Sequence, residues 1–113
     1  MAQNRNKLID LFIENISNSI IHEILEKAIN NKEVSDKYTK ELNLSLKIAK
    51  KYREKINPIN TAFPEKDIEY IKSKIINKVR SKLMQRISEG YENINLNLVE
   101  KLVDKALEQT NIL

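Results

Sequence analysis

The sequence predicts an all-α fold, a small bundle of four to five helices forming one domain over residues 1–113. Three observations predict it. Apolar residues recur at three- and four-residue spacing over long stretches. One glycine and two prolines are too few breaks for the many turns of a β-sandwich or barrel. The 113-residue length suits one ordinary domain, able to bury roughly two thirds of its unfolded surface without metal or disulfide staples.

The first helical region covers about residues 5–31. Leu8, Phe12, Ile13 and Ile16 share one stripe, whereas Ile21, Ile24, Leu25, Ala28 and Ile29 centre on a rotated face. The switch falls at Asn15-Ile16-Ser17-Asn18-Ser19, where cap-forming residues gather. Either two helices meet near Asn18 or one helix is buried around most of its circumference. With no glycine or proline in the stretch, the continuous helix is preferred.

Asn30-Asn31 reads as a stop, and Ser35-Asp36 as the start of the next helix. Val34, Tyr38, Leu42, Leu46, Ala49, Tyr52 and Ile56 then keep helical spacing through the strand-like Leu42–Leu46 alternation, up to Asn57-Pro58. Thr61–Phe63 is a connector. Pro64, Glu65 and Asp67 open a third helix that carries Ile68, Ile71, Ile75, Val79 and Leu83 on one face. Gly90 sits where a left-handed helix end belongs. A last helix starts near Asn97, which with Glu100 approximates a capping box, and Val99, Leu102, Val103, Ala106 and Leu107 make it amphipathic. Before it, Ile94-Asn95-Leu96 alternates like a short extended segment.

Most catalytic apparatus is missing. There is no cysteine, no glycine-rich phosphate loop and a single histidine. His22 lacks a second histidine four residues on, and Ser19 stands where a di-iron bundle would have glutamate. His22 with Glu26 one turn later reads as a helix-surface ion pair. No catalytic residue, metal site, cofactor or small-molecule substrate is expected. Mean hydropathy of −0.52 without a long apolar run argues against a membrane span, and the basic flank of residues 71–88 lacks the bulky aromatic anchors of a membrane-surface helix, so no membrane partner is expected. Met1–Lys7 has no apolar signal core, so a cytoplasmic location is expected.

Charge is the feature above background. The chain carries a formal +4, yet residues 37–55 carry +5 and residues 71–88 carry +6 with no acidic residue, leaving −7 for the rest. Lys74, Lys78, Lys82 and Arg86 recur every four residues as a slowly turning row, with Ser73, Ser81 and Gln85 as neutral neighbours. Their mutual repulsion costs roughly a few tenths of a kcal/mol per pair, which phosphates would relieve. Lys47, Lys50, Lys51, Arg53 and Arg80 complete the candidate nucleic-acid-binding set. Four arginines and few free aromatics argue against base-specific reading and against stacking of single strands, so binding is expected to follow the backbone. A helix-turn-helix around Gly90 fits poorly, because its reader helix would carry Glu100, Asp104 and Glu108.

Tyr38–Arg53, ending Ile48-Ala49-Lys50-Lys51-Tyr52-Arg53, resembles the helical part of the archaeal zinc-ribbon subunit of ribonuclease P. The resemblance is confined to that stretch, and that family's metal-binding cysteines have no counterpart here.

Two functional expectations follow. One is a non-catalytic interaction or assembly module, a homodimer or a small subunit of a larger nucleoprotein complex, with Phe12, Ile16, Ile20 and Ile24 facing the partner. The other is a nucleic-acid-binding protein that grips the phosphate backbone with basic helices at 37–56 and 64–89.

Overall fold

The computed structural model describes residues 4–29, 31–56, 63–110 and 112. These contain four α-helices, one 3-10 turn and no strand. Helix α1 spans Arg5–Ala28, α2 Lys32–Ile56, α3 Glu65–Ser88 and α4 Val99–Gln109, with the 3-10 turn at Leu96–Leu98.

α1 is one unbroken helix, capped by Asn4, whose side chain accepts the Lys7 N–H at 2.8 Å. Two of the cap-forming residues in its middle bond back onto it, and no new helix starts there. Asn15 donates its amide to the Leu11 carbonyl and Ser19 its hydroxyl to the Ile16 carbonyl, at 2.8 and 3.0 Å. Beyond the first turn only Asp10, Glu14 and Lys27 are exposed, because α2, α3 and α4 all pack against this helix. The rotated apolar faces are how one helix serves several neighbours. Phe12, Ile16, Ile20 and Ile24, expected at a partner surface, are therefore no more than 1% exposed inside the chain's own core. Their aliphatic bulk is used within the bundle, and that interface expectation is corrected.

α2 runs antiparallel to α1 and packs on it almost exclusively. Near one end Glu26 accepts from the Ser35 hydroxyl at 3.4 Å. Near the other, Phe63 is buried under two cations, Arg53 at 4.4 Å and Arg5 at 5.9 Å from its ring centre. α3 runs parallel to α1, fixed at its start by an Arg5–Asp67 ion pair of 2.6 Å. It turns Ile71, Ile75, Val79 and Leu83, each fully buried, into the core. α4 returns antiparallel to α3 and buries Val99, Leu102, Val103, Ala106 and Leu107.

The helix ends refine the sequence expectations. Asn31, not Ser35-Asp36, opens α2, its side chain accepting the Glu33 N–H at 3.0 Å. Pro64 precedes α3, its carbonyl accepting from Asp67 and Ile68 at 3.0 and 3.1 Å. The Asn97–Glu100 box does not form. Asn95 instead accepts the Asn97 N–H at 3.0 Å, and the 3-10 turn intervenes before α4. Gly90 ends α3 as expected, with φ of +100°. Its N–H reaches the Ile87 carbonyl and the Tyr91 N–H reaches that of Arg86, the paired bonds of a Schellman ending. Asn57-Pro58 and residues 61–62 lie outside the described residues, as does Asn30.

Candidate nucleic-acid interface

The core row of α3 has a cationic row immediately before it in sequence. Lys74, Lys78 and Lys82 precede Ile75, Val79 and Leu83, so each cation lies about 100° around the helix from a buried side chain. All three are exposed. One residue earlier again, Ser73, Asn77 and Ser81 form a parallel exposed row of neutral hydrogen-bonding groups, which Gln85 extends. Between Tyr70 and Glu89 the outer face of α3 carries no acidic residue.

The six cations between residues 71 and 88 of this helix are sorted by their neighbours. On the flank facing α4, Lys72 lies 2.8 Å from Asp104 and Arg80 3.9 Å from Glu100. The Asp104 carboxylate holds the Lys72 ammonium above its ordinary pKa. At the helix end Arg86 is half-buried, 3.3 Å from Glu89, with the Tyr91 ring 5.5 Å below its guanidinium. On the other flank, among the described residues, no carboxylate lies within ion-pair distance of Lys74, Lys78 or Lys82. Lys74 instead sits 5.7 Å from the ring centre of Tyr70, which is 47% exposed. Beside them a groove of about 530 Å³ runs between α1 and α3, lined by Ile13, Asp10, Tyr70 and Asn77 among others.

The α2 candidates fare differently. Lys47, Lys50 and Lys51 are exposed on its outer face. Arg53 is not part of that surface: it is 1% exposed, packed over Phe63, and burial lowers its pKa. Since α2 and α3 both pack on α1 and scarcely touch each other, the two basic clusters do not join through a shared helix contact. Lys47, Lys50 and Lys51, like the α3 row, have no carboxylate within ion-pair distance among the described residues, so they form a second, separate cationic patch.

A second cluster, unseen in the sequence, brings together residues far apart along the chain. His22 of α1 stacks on Tyr38 of α2, ring centres 5.5 Å apart and planes at 29°. Its Nδ1 lies 3.4 Å from the Glu41 carboxylate, at an angle that leaves this buried nitrogen without a formed hydrogen bond. Glu41 thus takes the place expected of Glu26. Burial lowers the His22 pKa, Glu41 opposes that shift and Arg86 adds to it. Burial likewise raises the Tyr38 hydroxyl, which also interacts with Tyr91. No spacing rule could have found this, because α1, α2 and the end of α3 each contribute.

Among the described residues no group of three or more acidic or imidazole side chains could hold a metal ion, and no helix is long and apolar enough to cross a membrane. The chain is an all-α bundle with a cationic, hydroxyl- and amide-bearing outer face on its third helix. Compared with family models, with curated proteins and with solved structures, it matches none of them.

Proposed function

We propose that this chain is a helical subunit of a nucleoprotein assembly that binds the phosphate backbone with the outer face of α3. The observation that carries this reading is the sorting of the α3 cations. Lys72 and Arg80 are matched by carboxylates of α4, whereas Lys74, Lys78 and Lys82 have none within ion-pair distance among the described residues. Like charges one turn apart repel, and a polyanion laid along the row removes that repulsion while releasing its own counterions. Ser73, Asn77 and Ser81 add neutral donors beside each cation.

Fluorescence anisotropy with labelled oligonucleotides tests this. Three phosphate contacts give an affinity that falls about 20-fold for a single strand and about 40-fold for a duplex between about 50 and 200 mM salt. Replacing Lys74, Lys78 and Lys82 together with glutamine removes the binding and leaves the melting temperature unchanged or slightly raised. Binding that survives the triple substitution places the site elsewhere.

Contact with a protein partner, the assembly half of the proposal, is supported by Met84 and Ile87. They are 60% and 41% exposed on α3, away from the lysine row. A second copy of the chain is one such partner. Sedimentation that shows a monomer at high concentration removes the homodimer.

A further inference from the structure

We infer that the ligand of the α3 face is a single strand, with phosphates on Lys74, Lys78 and Lys82 and one base turned into the α1–α3 groove against Tyr70. This rests on the phosphate-backbone reading above and deepens it.

The three lysines are spaced four residues apart, so their row advances about 6 Å per step and spans about 12 Å with little curvature. A single strand has the torsional freedom to follow such a line, whereas the backbone of a duplex winds away from it. Tyr70 stands one turn before Lys74 at the head of the row, with nearly half its surface open. An exposed aromatic ring beside a cation is a stacking platform, and it gains contact only from a base that is not already stacked in a duplex. The neighbouring groove, about 530 Å³, has Ile13 as an apolar surface and Asn77 as a polar edge. Asp10 lines the same groove. Its carboxylate, on the α1 wall, repels phosphate, so the backbone keeps to the α3 rim, where Lys74 and Lys78 line the groove, and the uncharged base takes the floor. Lys74 bridges the two parts, its ammonium reaching the Tyr70 ring from the phosphate row.

The test compares a 12-nucleotide single strand with a duplex of the same length, using the full chain and its Tyr70→Leu variant. The native chain binds the single strand more tightly, with a slope of log affinity against log salt of about −2, three contacts at about 0.7 each. Tyr70→Leu weakens single-strand binding about tenfold, keeps the salt slope and keeps the helical circular dichroism. Equal binding of duplex and single strand, or a Tyr70→Leu variant as tight as the native chain, overturns the single-strand inference. If Lys74, Lys78 and Lys82 still control affinity in that case, the phosphate-backbone reading stands without it. Absence of binding to either probe at low salt overturns both.

Discussion

The two flanks of α3 carry cations of the same kind on the same helix, and only their neighbours differ. Towards α4, Lys72 and Arg80 meet Asp104 and Glu100; towards α1 and solvent, Lys74, Lys78 and Lys82 meet exposed neutral groups, the Tyr70 ring and a groove shared with Asp10, with no carboxylate at ion-pair distance among the described residues. Along the sequence these five cations and Arg86 form one undivided +6 segment. Folding divides them into cations that hold two helices together and cations left available. Charge content therefore marks the helix, but packing marks the face.

The largest effect comes from removing what keeps both flanks in register. Ile75 is fully buried on the core face between them. Ile75→Ala should cost about 2–5 kcal/mol by lost burial and the cavity left behind. Chemical denaturation reads the loss directly. A cost under about 1 kcal/mol would mean that the core row does not fix the orientation of α3.

Next is the end of the row. Gly90 holds φ of +100° in the Schellman turn that positions Arg86 over Tyr91. A Cβ there meets no atom within 4 Å, so the penalty of Gly90→Ala is backbone strain alone, about 1–2 kcal/mol. The melting temperature should fall, while affinity for nucleic acid at temperatures well below melting should hold.

How much of this was legible in the sequence depends on what each residue packs against. The buried row of α3 and Gly90 were legible because a single-faced helix and a left-handed end leave local patterns. The continuity of α1 was legible from the missing breakers. Its role was not: periodicity cannot tell a helix covered by its own chain from one that awaits a partner, so Phe12, Ile16, Ile20 and Ile24 were placed on the wrong surface. Arg53 was misplaced for a related reason. A cation in a lysine-rich stretch reads as solvated, and the Phe63 ring over which it packs comes ten residues later, across a helix boundary. Tyr70 at the head of the free flank went unnoticed because one aromatic outside the core stripe has no periodic signature. The His22 cluster, built from residues 22, 38, 41, 86 and 91, exists only once three segments meet.

That cluster links the end of α3 to pH. The folded chain holds the His22 pKa below 6.5, chiefly by burial and with a contribution from Arg86, whereas Glu41 pulls the other way. The native state therefore favours neutral imidazole. Its stabilising contribution is complete above pH 6.5 and is lost as the pH falls from there through the folded-state pKa. Arg86→Gln removes a repelling cation, so the histidine should titrate at higher pH; Glu41→Gln should move it lower. Histidine ring signals followed by NMR across the titration settle the order of the three proteins. An unchanged midpoint in Arg86→Gln would detach the cluster from the row.

The smallest effect sharpens the contrast most. Lys72→Gln and Arg80→Gln together remove the same kind of charge from the paired flank. Both pairs are well exposed, so each should cost only about 0–1 kcal/mol of stability. The Lys72 pKa is raised by Asp104, so that pair's contribution is present at neutral pH and lost only as the pH rises through the folded-state value, above 10.5. Nucleic-acid affinity should drop far less than in the triple glutamine variant of the free flank, because these two side chains are turned towards α4. A drop of similar size would show that the protein responds to total charge, and that packing does not assign the lysines their separate roles.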